Sequence, residues 1–330
     1  MLFGVGVAAH DRHGSPFWTL PGSYRAHREP TAAGRGLHLP HRARVDTLSA
    51  VSAPAEAVAP PGMWDVHVPP GNTAYFRSLW TRRDYMMYSA SNELQSRQMT
   101  SVLGNLWHLL NPLLQIGVYF LVFGVVLGVN RGENYFAFLS IGIFVFGFTQ
   151  RSTMSGASSI TNNKGLLNAF AFPRALLPVT STLTEAMATL SPIVVIYVVA
   201  ILSGITPSAR WLALVPLFAV QLGFNFGCAL LAARATNSVS DLNQVLPFVF
   251  RILLYVSGVL FDVRLYAEGK GYEWLFQLNP ISCIVSLVRW SILGGDFGVK
   301  SLAIFLVWTV GAAVGGLTWF RAGEGSYGRE

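Results

Sequence analysis

Three ionisable side chains, Glu185, Arg151 and Arg251, stand inside otherwise apolar stretches of this chain. Charge in such surroundings is costly and needs a partner or water. Counting from nearby polar or proline breaks at about 1.5 Å per helical residue puts Glu185 roughly 10 Å, Arg251 roughly 15 Å and Arg151 roughly 17 Å from one end of their helices. All three can share one layer. Two arginines and one carboxylate leave a net positive charge there. The spacing therefore predicts that Glu185 pairs with Arg251 or Arg151 and that the unpaired arginine faces a conduit; separate polar contacts between helices are the plainer alternative.

Other chemistry is sparse. No G-x-x-x-x-G-K-[ST] occurs, and Gly269-Lys270-Gly271 lacks both the glycine spacing and the Ser/Thr, so the chain is not expected to hydrolyse nucleotide by itself. Past residue 70 the only histidine is His108 and the acidic residues are scattered singly. That leaves no metal site, no paired carboxylates and no Ser/His/Asp set, which argues against an enzyme. Cys228 and Cys283 cannot build a disulfide framework or a four-ligand zinc site, and Cys228 sits in an apolar run as a small hydrophobe.

The elements that must hold these charges are membrane elements. The 330 residues are 52% apolar and only 12% charged, with mean hydropathy +0.46, whereas soluble domains run near about a quarter charged. The net charge of +7 fits the Lys/Arg bias of cytoplasmic loops better than a nucleic-acid partner. Residues 1–70 differ: they hold nine of the seventeen prolines and six of the seven histidines, with no helical or strand period. This segment reads as a disordered cytoplasmic tail, its histidines too irregular for a ligand set and its first residues lacking a signal-peptide pattern. It is expected to be dispensable, with Met63 available as a later start.

From Ala74 to Tyr88, Tyr75, Phe76, Leu79, Trp80, Met86 and Met87 fall on one helical arc, opposite Arg77, Thr81, Arg82 and Asp84. The pattern predicts an amphipathic interface helix, with Arg83 snorkelling. Six segments approach the roughly 20 residues a span needs: 109–129, 135–159, 179–202, 211–232, 244–261 and 301–320. The small residues at 155–159 require that half of the second span to face protein. The basic residues Arg77, Arg82, Arg83, Arg97, Lys164, Arg174, Arg234, Arg321 and Arg329 fall on one side of this topology. Both termini are therefore expected in the cytoplasm, in a multi-pass protein of the cytoplasmic membrane.

Three stretches at the ends of the spans carry a recognisable order. The first runs from Arg97 through Val102-Leu103-Gly104-Asn105-Leu106-Trp107 to Pro112; the second is Asn162-Asn163-Lys164 followed by Phe172-Pro173-Arg174-Ala175-Leu176-Leu177-Pro178; the third is Leu278-Asn279-Pro280 with Arg289 beyond. Over residues 75–330 the chain resembles permease subunits of ABC-2 type exporters. It is most similar to the polysaccharide branch that moves lipid-linked O-antigen, teichoic acid and galactan, and within it to the galactan exporters of mycolate-bearing bacteria. The long first segment departs from the family.

The resemblance implies an all-α polytopic fold with six transmembrane helices and re-entrant outer helices, working as a homodimer. Two copies of a separate ATPase subunit would bind ATP and Mg; this chain would carry no cofactor. The substrate implied is a polyprenyl-diphosphate-linked glycan, whose diphosphate the unpaired arginine would meet. A drug or small-lipid exporter of the same superfamily is the alternative, and a membrane enzyme of cell-wall assembly a more distant one.

Asn162 to Phe172 is a short amphipathic stretch ended by Pro173, suited to insert into a groove on a partner. Its docking residues are Asn163, Lys164, Leu166, Leu167, Asn168 and Phe170. Outside, 272–278 and 281–293 divided by Asn279-Pro280 read as re-entrant helices forming an exit gate with Arg289 and Trp290. Phe120, Phe123, Phe144, Phe146, Phe148, Tyr255 and Trp290 are candidate conduit aromatics for stacking on sugar.

Overall fold

The chain divides into two units, Met1–Val58 and Ala59–Glu330. A computed structural model describes residues 72–99, 106–126, 134–169, 172–261, 271, 273–324 and 327, all in the second. The expected tail, Phe170 and Tyr272 lie outside the described residues.

Every regular element described is helical. The amphipathic stretch is two helices, α1 (Asn72–Thr81) and α2 (Arg83–Met99), which corrects the single helix expected over 74–88. A turn at Arg82 separates them and splits the apolar arc. Tyr75 and Leu79 turn inward, while Trp80 and Met87 stay exposed.

The first expected span is α3 (Leu106–Tyr119), continued as a wider π-helical turn over Phe120–Val126. The second is α4 (Tyr135–Asn162), followed by the short α5 (Lys164–Ala169) and α6 (Leu176–Leu202). A tight 3-10 turn, Ala209–Ala213, leads into α7 (Leu214–Ser238). Then come α8 (Leu242–Val256), α9 (Glu273–Leu278), α10 (Pro280–Leu293) and α11 (Val299–Ala322). Among the described residues three stretches, Leu176–Leu202, Ala209–Ser238 and Val299–Ala322, are long and apolar enough to cross a membrane.

The fifth expected span is shorter than its sequence suggested. α8 ends at Val256, so its 15 residues reach only about 22 Å against the roughly 30 Å of a hydrocarbon core. The chain breaks there because Gly258 adopts φ 63°, a left-handed conformation that favours glycine.

α4 packs on α6 and α7, and α7 packs along α11. Small residues set how closely these helices approach. A side chain on Gly156 would strike Ala229 of α7, and one on Gly227 would strike the α11 backbone at Ala312. Polar side chains then bridge the α4–α7 seam: Gln221 donates to the Val145 carbonyl at 2.8 Å, and the Thr236 hydroxyl donates to the Ala157 carbonyl at 2.6 Å. In a solvent as apolar as lipid, close approach and interhelical hydrogen bonds supply what hydrophobic burial does in water. α3 and α8 flank this core with large apolar side chains exposed, among them Leu114, Val118, Phe248 and Ile252.

Candidate functional site

Glu185 is 4% exposed on α6 and gathers two arginines. Arg97 of α2 donates from Nη1 to Oε1 at 2.7 Å, and Arg151 of α4 places Nε 3.5 Å from Oε2. Arg97 also donates to Glu93 one turn back at 2.7 Å, and the Thr184 hydroxyl donates to the other Glu93 oxygen at 3.1 Å. Burial works against the Arg97 charge, but its hydrogen bonds and attraction to Glu185, and then to Glu93, outweigh it and raise its pKa. Two carboxylates thus face two guanidiniums across three helices.

Of the two partners the spacing offered Glu185, the structure brings Arg151 and not Arg251. Arg97, counted among the cytoplasmic loop charges by sequence, is the closer one. The missed signal was the i, i+4 pair Glu93/Arg97 on a helix extending past residue 88. Arg251 lies exposed on α8, stacked over Phe248 at 5.7 Å and without a carboxylate partner among the described residues. Tyr119 of α3 lies beside Gln115 and Tyr255 and feels the Arg251 charge. Gln115, Tyr255 and Arg251 thus form an exposed polar strip within otherwise apolar faces.

At the end of the bundle carrying α5, the docking residues divide. Leu167 is 7% exposed and packs inward with Tyr75, Ile160 and Leu176. This corrects its reading as a partner contact: the side chain belongs to the chain's own core. Leu166 is half-buried, Asn163 is tied by its amide to the Ser159 carbonyl at 2.8 Å, and Lys164 is exposed. The side chain of Asn168 lies outside what the structure describes.

A knot missed by the sequence holds the loop after α5. The Tyr75 hydroxyl donates to Glu324 Oε1 at 3.0 Å and accepts the Ala175 N–H at 3.3 Å, while Glu324 Oε1 accepts the Arg174 N–H at 2.8 Å. Burial, and then Glu324, push the Tyr75 hydroxyl well above its ordinary pKa, so it remains a donor. Tyr327 is fully buried beside it, donating to the Phe320 carbonyl at 2.8 Å. Residues 75 and 324 are too far apart in sequence for any local pattern to pair them.

At the opposite end, Asn279 caps α10 by accepting the Ile281 N–H at 2.9 Å, with Pro280 at the first helical position. Its amide donates to Ser257 at 3.0 Å. Arg289 donates to the carbonyls of Gly258 at 2.9 Å and Val259 at 2.7 Å and lies 3.3 Å from the centre of the Phe138 ring. It therefore fastens the frayed end of α8 to α4 and α10. Trp290 packs on Phe297.

Of the conduit aromatics, Phe144, Phe146 and Phe148 are enclosed in the core, Phe148 stacked on Phe218 at 4.9 Å. Surrounded by protein, they offer no face to a sugar, which corrects that reading. Phe120 and Phe123 are half-buried beside α3, and Tyr255 is exposed.

Residues 87–293 match the family model described as ABC-2 type transporter. The chain belongs to the ABC-2 type transporter family. The match takes in the Glu185 cluster, α5 and the Arg289 fastening. The O-antigen export system permease protein RfbA of Klebsiella pneumoniae is 26% identical over 239 residues, covering 72% of this chain and 91% of that protein. RfbA of Myxococcus xanthus is 24% identical over 64% of this chain and 80% of its own length. The polysialic acid transport protein KpsM of Escherichia coli is 24% identical over 70% of this chain and 90% of its own.

Proposed function

We propose that this chain is the membrane-spanning permease subunit of an ABC exporter of polysaccharide. In this reading two copies form a conduit across the cytoplasmic membrane, and two separate ATPase subunits power it with ATP and Mg. The observation that carries this is the alignment with O-antigen export permeases over 91% of one relative's length. The geometry supports it through Arg251 and its neighbours. A charge exposed on an apolar helix is too costly to face lipid, so the strip of Gln115, Tyr255 and Arg251 belongs against a second copy or a water-filled passage. There the guanidinium suits an anionic diphosphate.

The finer reading has six spans, with α3, α4 and α8 added to the three stretches long and apolar enough to cross, both termini in the cytoplasm, and α9 and α10 re-entrant at the outer face. Its cargo is a polyprenyl-diphosphate-linked glycan such as cell-wall galactan or an O-antigen-like polymer. α5 docks the ATPase through Lys164, Leu166 and the segment following, and carries its motion to α4 and α6.

Depleting the chain in living cells tests this: a lipid-linked glycan should accumulate on the cytoplasmic side. Copurified ATPase activity should respond to lipid-linked glycan. Stimulation by amphipathic drugs without glycan accumulation would favour the drug-exporter alternative.

A further inference from the structure

α2 leans on α6 through Arg97 and Thr184 and stands away from the last two turns of α4. Between them lies a cleft of about 580 Å³, within the roughly 300–1,000 Å³ usual for small-molecule sites. Its lining is unusual for a membrane protein: six serines, three asparagines and the Glu93–Arg97 pair, with no apolar or aromatic side chain. A groove for a protein helix needs apolar anchor pockets, and this one has none.

The hydrogen-bonding state of the lining narrows the occupant. Ser96, Ser158, Ser159 and Ser181 all donate their hydroxyl protons to carbonyls of their own helices. What they turn to the cleft is therefore lone pairs, while the amides of Asn92 and Asn162 supply donors. Charge at the wall is closed, Glu93 and Glu185 facing Arg97 and Arg151. An anion would meet acceptors and no free positive charge. A neutral ligand rich in hydroxyls, donating and accepting at once, fits both conditions.

We propose that this cleft is a saccharide site, taking neutral sugar rings of the cargo beside α5 and separate from the arginine strip on α8. The proposal rests on the export reading above and adds a place and a chemistry to it. Sugar in the cleft would touch α2 and α4 together, the two walls whose spacing the Glu185 cluster holds.

The test uses the full chain copurified with its ATPase in lipid nanodiscs. The probe is neutral oligosaccharide released by mild acid from the cell's lipid-linked glycan pool, titrated calorimetrically. Binding to the wild type is expected, at least tenfold weaker in Asn92→Leu/Asn162→Leu, with inorganic pyrophosphate failing to compete. Ser96→Leu, at an exposed position of the cleft wall, should weaken binding in the same direction and covers the case in which the double variant does not fold. Absent binding to the wild type, equal affinity in the variants, or displacement by pyrophosphate would overturn the proposal. Glycan accumulation on depletion is scored separately, so the export reading can stand while the cleft assignment falls.

Discussion

Arg151 and Arg251 have similar sequence surroundings and opposite fates. Arg151 sits on α4 among protein, its guanidinium beside Glu185 and Thr189, in a junction where two carboxylates and two arginines close on one another. Arg251 sits on a helix at the flank of the bundle, exposed, with an aromatic neighbour and no carboxylate partner among the described residues. The first arrangement is complete within one chain. The second is incomplete, because a lone exposed charge on an apolar helix has no stable place in lipid. Completeness thus separates what holds the fold from what waits for another molecule, and each region fails differently when altered.

The largest effect is expected at Glu185. Glu185→Gln leaves Arg151 without its carboxylate and Arg97 with Glu93 alone, and breaking such a pair costs about 3–5 kcal/mol when fully buried. The side chains of Arg97 and Arg151 are 34% and 35% exposed, so solvent relieves part of this and about 2–3 kcal/mol is expected. Thermal unfolding of the detergent-purified chain reads it as a clear fall in Tm. Arg97→Glu combined with Glu185→Arg should recover part of the loss that either change alone causes. No recovery in that double variant would mean the contact at 2.7 Å contributes little.

Helix placement was legible from the apolar periodicity, and so was the need for close packing at 155–159, because both follow from local composition. What the sequence hid depends on long-range geometry. Arg97 looked like a loop charge until α2 proved to run on to Met99 and lean on α6. Leu166 and Leu167 were indistinguishable as an apolar edge, since a six-residue helix is too short to show which side faces the bundle. Phe144 and Phe148 sat in a run so uniformly apolar that no face could be chosen, and α8 lost its last turn to the Gly258 conformation.

α5 places the same contrast in adjacent residues. Leu167→Ala removes a buried side chain from the cluster around Tyr75 and Phe320, where a leucine-to-alanine cavity costs about 2–3 kcal/mol. Leu166→Ala, half outside that cluster, should change stability by about 0.5 kcal/mol or less. If α5 is the docking element, the order reverses for the partner: Leu166→Ala weakens copurification of the ATPase subunit at equal amounts of folded chain. Equal copurification in wild type and Leu166→Ala would move docking to the segment beyond Ala169.

Arg251→Gln is expected to have the smallest effect on the isolated chain. Among the described residues no carboxylate loses its partner, the Phe248 contact is an exposed one worth about 0.5–1 kcal/mol at most, and α8 keeps its length. Unfolding of the purified subunit should therefore stay within about 0.5 kcal/mol of wild type. Its consequence should appear only in the working assembly. If the guanidinium meets the diphosphate of the cargo, export falls sharply in Arg251→Gln and is partly retained in Arg251→Lys, because the ammonium keeps the charge while losing the two-pronged geometry. If Arg251 instead only fits one copy against the other, Arg251→Lys and Arg251→Gln should weaken dimer recovery together, leaving export per dimer unchanged. A large loss of stability in the isolated chain would place Arg251 with Arg151, as a charge the fold itself has closed.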